Sequence, residues 1–116
     1  MNITNLSDED ISEFAHPIWD ELVRASNAGD YGAFTQRFSR QLLLAMNEVE
    51  VGKQFAHSEL AKNLVEKQDF LGFIRRGEHV TALYRVRSKV REGEWLGRMV
   101  LGTEDGEVKV FAASIF

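Results

Sequence analysis

The chain has 116 residues, of which 44% are apolar and 28% charged, and it contains no cysteine. This length and composition predict one globular domain, residues 1–116. The lack of cysteine excludes disulfides, thiolate metal ligands and iron–sulfur clusters. A net charge of −4 argues against nucleic acid as a partner, and nothing in the composition implies a cofactor.

The location of the protein is predicted from its first residues and its apolar runs. The amino-terminal stretch carries Asp8, Glu9 and Asp10 and no basic residue, whereas a secretory signal begins with positive charge. The longest unbroken apolar run, residues 42–46, is much shorter than the roughly 20 residues that span a bilayer. We therefore expect a cytoplasmic protein that does not bind membranes.

The first half of the chain has helical periodicity. Ser7 precedes an acidic turn, as an N-cap residue does, and apolar residues then recur about every 3.6 positions from residue 11 to residue 23. The stripe stays in phase across Pro17, which leaves two alternatives: one helix kinked there, or two helices that meet there. Gly29 is predicted to end the helix.

A second helix is predicted after Asp30, which can cap its first turn. Its apolar face consists of residues three or four positions apart, namely Tyr31, Phe34, Phe38, Leu42 and Ala45. The pattern over residues 48–68 is weaker. There we expect an extended piece at residues 49–51, followed by a helix that contains Leu60, Leu64 and Val65.

The second half of the chain predicts an antiparallel sheet. Its four apolar-rich runs are residues 70–76, 79–91, 94–104 and 107–116. Two-residue turns separate them: Gly77-Glu78 suits type II′ and Asp105-Gly106 suits type I′, while Glu92-Gly93 is a weaker signal.

These turns fix which residues face each other across the strands. Arg87 then lies opposite Arg98. Trp95 lies opposite Val90 on one neighbouring strand and opposite Phe116 on the other. One face collects the apolar residues that the helices must cover: Leu71, Phe73, Ala82, Tyr84, Val86, Val90, Trp95, Met99, Leu101, Val108, Val110, Ala112 and Phe116.

The opposite face mixes basic side chains with large apolar ones. Scattered surface hydrophobes are ordinary, and that is one interpretation. So many in adjacent rows favour a surface that packs against a second copy of the chain. We therefore predict a homodimer through this outer face, whose interface consists of Leu83, Arg85, Leu96, Val100, Phe111 and Ile115, with Phe70 beside them. The opposed Arg87 and Arg98 would splay into solvent or hold a partner's carboxylate.

The order of elements and two short motifs resemble the nuclear-transport-factor-2-like superfamily. Residues 28–34, Ala-Gly-Asp-Tyr-Gly-Ala-Phe, followed by Phe38-Ser39, are similar to the junction of that superfamily's first two helices. Residues 105–110 resemble its last hairpin, although Val108 stands where an aromatic residue often follows the turn.

This resemblance implies an α+β fold of the cystatin-like kind, in which a curved, mainly antiparallel sheet wraps N-terminal helices into a cone. It also implies an internal pocket and often a dimer through the outer sheet face. The superfamily includes isomerases, dehydratases, cyclases and transport adaptors, so the fold does not determine the function.

Acid–base enzymes of that superfamily place Asp, Glu or His inside the cone, often with a Tyr hydroxyl. The predicted inner face contains no Asp, Glu or His, although general acid–base catalysis needs such a group near the substrate. The remaining polar candidates are Tyr84, Tyr31 and His57, and the simpler interpretation of each is a core aromatic or a surface residue whose polar group is satisfied. Arg75, at a strand end, would bind an anion or reach into solvent. The three histidines lack metal-ligand spacing.

A row of small residues, Ser88, Gly97 and Ser114, crosses the predicted inner face. It would form the floor of a ligand pocket, unless a helix side chain such as Trp19 or Phe38 fills the space. The predicted ligand contacts are therefore Tyr84, Ser88, Gly97, Ser114, Tyr31 and His57.

We predict a non-catalytic domain that binds a small apolar molecule or a partner and acts as a homodimer. One alternative is an isomerase, dehydratase or cyclase that uses Tyr84, Tyr31 or His57. The other is a protein-interaction adaptor. An apolar cavity would favour the binding domain, a polar cavity with an acid–base pair the enzyme, and a filled interior the adaptor.

Overall fold

A computed structural model describes residues 2–46 and 58–116. The extended piece predicted at residues 49–51 lies outside the described residues. A 3₁₀ turn (Ile3–Asn5) precedes the helices α1 (Asp8–Ala28), α2 (Tyr31–Thr35) and α3 (Arg40–Ala45). The strands β1 (Phe70–Arg76), β2 (His79–Val86), β3 (Trp95–Glu104) and β4 (Glu107–Ile115) form one antiparallel sheet in that order. The predicted α+β class is confirmed.

Helix α1 is one helix that continues through Pro17, so the alternative of two helices that meet there is wrong. Ser7 caps it as predicted, because its hydroxyl accepts a hydrogen bond from the Asp10 N–H at 3.1 Å. Gly29 ends it in the left-handed conformation, with φ of 66°.

The predicted second helix is divided into two short ones. Asp30 caps α2 as expected, but the helix ends before Phe38. There the backbone pairs with β4 instead: the Ser39 N–H donates to the Val110 carbonyl at 2.9 Å, and the Val110 N–H donates to the Arg37 carbonyl at 2.8 Å. This pairing buries the Phe38 ring in the core, and Ser39 then caps α3.

Residues 58–68 contain turns and no α-helix, which corrects the helix predicted there. The Asn27 side-chain amide accepts a hydrogen bond from the Leu64 N–H at 2.8 Å and donates one to the Leu64 carbonyl at 2.9 Å. Leu64 also pairs with Ser88 in an isolated bridge and is buried. Contacts with distant residues therefore hold this segment out of a helix.

Two of the three predicted turns are present. Gly77 alone has positive φ in the first turn, as type II′ requires, and Asp105 and Gly106 both have positive φ, as type I′ requires. The third is wrong, because residues 87–94 form a longer connection and Val86, not Val90, lies opposite Trp95.

The longer connection shifts the β2–β3 register by an even number of residues, so the faces of these two strands stay as predicted. Tyr84 lies opposite Gly97, and Arg98 lies opposite Leu83 rather than Arg87. Val90 is more than half exposed instead of facing the helices. The residues of β2 and β3 predicted to face the helices therefore do so, although the predicted register is wrong.

At two other places, a bulge moves side chains to the opposite face of the sheet. An irregularity in β1 between Phe70 and Gly72 turns the Phe70 ring toward α1, where it contacts His16, and leaves Leu71 exposed. A second bulge in β4 reverses the alternation after Val110. Four terminal residues are therefore on the face opposite to the predicted one: Ala112, Ser114, Ile115 and Phe116.

The core lies between α1 and the sheet. It contains Trp19 and Phe38 as predicted, while Phe34 is only partly buried at its edge. Trp95 faces the helices and packs against this core. Among the described residues no helix combines the length and apolar character that crossing a membrane requires.

Candidate ligand site

Trp19 occupies the space above Gly97. A Cβ atom on Gly97 would lie 2.6 Å from two carbons of the Trp19 ring, far inside contact distance. Ser88 lies in the 87–94 connection, and Ser114 pairs with Arg98. The predicted row of three small residues therefore does not form, and a helix side chain fills the space at Gly97.

Tyr84 is completely buried and has a polar partner. Its hydroxyl lies 2.9 Å from Nδ1 of His16, and its ring stacks on Trp19 with centroids 4.6 Å apart and planes within 5°. The rings of Phe70 and Phe73 surround the His16 imidazole at 4.8 and 6.4 Å. Tyr84 thus belongs to an aromatic cluster rather than to an open pocket.

The surroundings of this cluster shift the pKa of each polar partner toward its neutral form. Burial lowers the pKa of His16 from its ordinary value, and the Asp20 carboxylate opposes this in part. Burial raises the pKa of Tyr84, and the negative charge of Asp20 adds to the effect. Gln68 steadies the arrangement, because its amide donates to the His16 carbonyl at 3.2 Å and to the Asp20 carboxylate at 3.0 Å.

His16 was not among the predicted site residues. It lies next to the buried Ala15, at the margin of the apolar stripe of α1. That position is the one feature of the sequence that indicates a partly buried histidine. Its partner Tyr84 is 68 residues away, which local pattern does not reveal.

A cavity of about 300 Å³ lies between α1, residues 58–64 and β4. Trp19, Leu22 and Val23 line it from α1, and Ala113 and Ile115 line it from β4. Most of its described lining is apolar, and none of the described lining side chains is charged. The cavity is therefore suited to a neutral molecule with an apolar body.

Side-chain hydrogen bonds from α1 hold the wall opposite β4. The Ser26 hydroxyl donates to the Ala61 carbonyl, and Asn27 binds both backbone groups of Leu64. The Ser58 hydroxyl accepts from the Ala61 N–H at 3.1 Å. The sequence pattern does not predict this wall, because the wall is formed by contacts between distant residues and not by a periodic segment.

Of the predicted ligand contacts, Ser114 is the one that lines the cavity among the described residues. Its Oγ is buried and has no hydrogen-bond partner in the described part of the chain. Because Ser114 lies opposite Arg98, its side chain is directed away from the helices. Tyr31 is not among the described lining residues, and His57 lies outside the described residues.

Ser88 contributes to its own loop. Its hydroxyl accepts hydrogen bonds from the N–H groups of Val90 and Arg91 at 3.1 and 3.2 Å. These bonds stabilise the connection between β2 and β3, and Ser88 is not among the described lining residues of the cavity.

The outer face keeps most of its predicted residues. Leu83, Leu96, Val100 and Phe111 are partly exposed there, whereas Ile115 faces the helices because of the β4 bulge. Phe116, which is 65% exposed, is added to the apolar surface beside Leu96.

Two arginines near this face, Arg85 and Arg87, are paired within the chain. Arg85 binds Asp69 at 3.2 Å and Glu94 at 3.5 Å. Arg87 binds the same two carboxylates at 3.1 and 3.0 Å. Arg75 binds the Leu6 carbonyl and Asp8 at the start of α1, so it supports the helix terminus.

No group of three potential metal ligands occurs among the described residues. No family model matches the chain, and no curated protein matches it. A functional proposal therefore depends on the residues and geometry above.

Proposed function

We propose that the chain is a non-catalytic binding domain that takes a small, neutral, apolar molecule into the cavity beside β4. The observation that carries this proposal is the cavity itself, which has a volume of about 300 Å³. Its described lining residues are mostly apolar, and none of them has a charged side chain. Ligand sites have volumes from roughly 300 Å³ upward and are lined mainly by apolar groups. Burial there would contribute about 25 cal/mol for each Å² of apolar surface removed from water.

The proposal includes a relationship to the nuclear-transport-factor-2-like superfamily and a homodimer. The order of helices and a four-stranded antiparallel meander supports the relationship. For the dimer, the support is the apolar outer face, which retains Leu83, Leu96, Val100 and Phe111 and includes the exposed Phe116. Sedimentation equilibrium of the wild type and of Phe111→Asp tests the dimer: a wild type that stays monomeric at about 100 micromolar, far above the micromolar range of ordinary association, contradicts it.

Cavity binding is tested with N-phenyl-1-naphthylamine, a neutral probe that fluoresces in apolar surroundings. Ala61→Phe places a ring in the cavity lining and should weaken binding by about tenfold or more. Ala33→Phe adds the same ring at an exposed position of α2 and should leave the affinity unchanged. Equal affinities for the two variants would place the probe elsewhere and contradict the proposal.

A second candidate function, proton transfer on an apolar ketone, is favoured by the hydrogen bond between His16 and Tyr84 with Asp20 nearby. A substrate would have to enter the aromatic cluster, because Tyr84 is fully buried. The test is exchange of the α-protons of cyclohexanone with deuterium oxide, followed by NMR. Exchange above the buffer rate that is lost in Tyr84→Phe would support this function, and exchange at the buffer rate would contradict it.

A further inference from the structure

Among residues 2–46 and 58–116, the edge of β4 that lies away from β3 is paired over only part of its length. At Val110 both backbone groups bond to the segment that precedes α3, through Arg37 and Ser39. Farther along, Phe116 exchanges both backbone hydrogen bonds with Leu96 of β3, at 2.9 and 3.1 Å. Beyond the bulge, Phe116 and Leu96 thus form a hydrogen-bonded pair. The positions of the other hydrogen-bonded pairs between β4 and β3 follow from this one.

Backbone groups in an antiparallel pair point toward the partner strand at every second residue. Since Phe116 bonds to β3, Ser114 does so as well, and the N–H and C=O groups of Ala113 and Ile115 point away from β3. Within residues 2–46 and 58–116 no partner is found for these four groups. Ala113 and Ile115 both line the cavity. The cavity thus borders a stretch of strand edge that carries two donors and two acceptors without partners in the described residues.

We infer that the ligand of this cavity is a neutral amide whose apolar body lies against Trp19 and Leu22 and whose amide group pairs with the edge of β4 at Ala113 and Ile115. This inference rests on the proposed function of the cavity. A primary amide or a lactam presents a donor and an acceptor together, as a neighbouring strand does, and so satisfies both kinds of backbone group.

Other ligand classes fit this lining less well. A carboxylate or an amine would enter without an opposite charge among the described lining side chains, and a buried unpaired charge is strongly unfavourable. A hydrocarbon leaves the edge groups of Ala113 and Ile115 without partners. An ester offers acceptors alone and leaves the two N–H donors to compete for them, while the carbonyl groups stay unpaired.

The experiment compares cyclohexanecarboxamide with methyl cyclohexanecarboxylate, each displacing N-phenyl-1-naphthylamine from the wild-type protein. The two compounds share the same ring, and the ester is the more apolar, so a cavity that selects by apolarity alone would prefer the ester. We expect the amide to bind about tenfold more tightly, which corresponds to one or two net hydrogen bonds.

Ala113→Pro removes one edge donor without removing a bond to β3, because that N–H points away from the ladder. The advantage of the amide over the ester should fall to about twofold or less, and this ratio is the readout because the proline ring changes the cavity lining for both compounds. Should this variant fail to fold, the amide proton shifts of Ala113 and Ile115 in the wild type replace it. They should move downfield with the amide and not with the ester.

The outcomes separate the inference from the proposed function. If the probe binds and the amide has no advantage over the ester, the amide inference is overturned and cavity binding stands. If neither the probe nor the two cyclohexane compounds bind, cavity binding fails and the inference fails with it. Downfield shifts of Ala113 and Ile115 together with the amide advantage support it.

Discussion

The interior is filled differently on the two sides of Trp19. Toward β1 and β2, the Trp19 ring stacks on Tyr84, and the rings of His16, Phe70 and Phe73 occupy the remaining space. Toward β4, the same side chain lines a cavity of about 300 Å³. One helix residue thus borders both a packed cluster and a space large enough for a ligand.

The difference comes from the elements that face α1 on each side. Strands β1 and β2 present the rings of Phe70, Phe73 and Tyr84, which pack closely against His16 and Trp19 of the helix. On the other side the wall is the irregular segment 58–64, which hydrogen bonds from Ser26 and Asn27 hold in place. Polar anchoring fixes the position of this wall without filling the volume in front of it.

Replacing Trp19 disturbs both sides and should have the largest effect. Trp19→Ala removes a nearly buried ring and should lower the free energy of unfolding by about 3–5 kcal/mol. Phe14→Ala, at a position of the same helix that is 38% exposed, is the matched control and should cost less than about 1 kcal/mol. Urea denaturation measures both, and similar losses would mean that Trp19 is not the shared packing residue.

Adding one methyl group at Gly97 tests the packed contact above the sheet. Gly97→Ala forces the Trp19 ring to move and should destabilise the protein by about 1–3 kcal/mol. Gly32→Ala is the control, because its added Cβ meets nothing closer than 3.6 Å and replaces glycine within α2. An unchanged midpoint for Gly97→Ala would contradict the close approach of Trp19.

The cavity wall is tested at Asn27. Asn27→Ala removes two hydrogen bonds and leaves both backbone groups of Leu64 without that partner, so a loss of about 1–2 kcal/mol is expected. Probe affinity should fall together with stability, because the wall loses its anchor. Asn63→Ala, whose side chain bonds locally to the Glu59 carbonyl, is the control. A full-affinity Asn27→Ala would show that this anchor does not shape the cavity.

The smallest expected effect is a pH dependence from the packed side. The native pKa of His16 lies below the ordinary value of 6.5, so the unfolded chain takes up a proton first as the pH falls. The contribution of His16 is fully present above about pH 6.5 and decreases below it, toward the lowered native pKa. His16→Leu should flatten the stability profile between about pH 7 and 5. Equal slopes in wild type and His16→Leu would refute this assignment.

Local signals predicted the elements that depend on local chemistry. Ser7 and Gly29 bound α1 correctly, and Asp105-Gly106 gave the β3–β4 hairpin, because caps and tight turns are set by the residues themselves. Face assignment failed before the β1 irregularity and after the β4 bulge, since one extra residue reverses the alternation and the sequence pattern does not show it.

The candidate site was less predictable than the fold. Its wall depends on Asn27 and Leu64, which are 37 residues apart, and its aromatic neighbour depends on His16 and Tyr84, which are 68 apart. Such contacts form only when the whole chain is folded. Trp19 was predicted as one of the residues that could fill the space at Gly97, and it does so. The prediction was possible because a glycine within a strand often marks the place where another group approaches the backbone closely.

Isotope-filtered nuclear Overhauser spectroscopy with bound N-phenyl-1-naphthylamine locates the ligand by proximity. If the cavity beside β4 is the binding site, the probe protons show cross-peaks to the methyl groups of Leu22, Val23 and Ala113, which line it. Cross-peaks to Val100 and Ala112, on the opposite face of the sheet, would contradict the account.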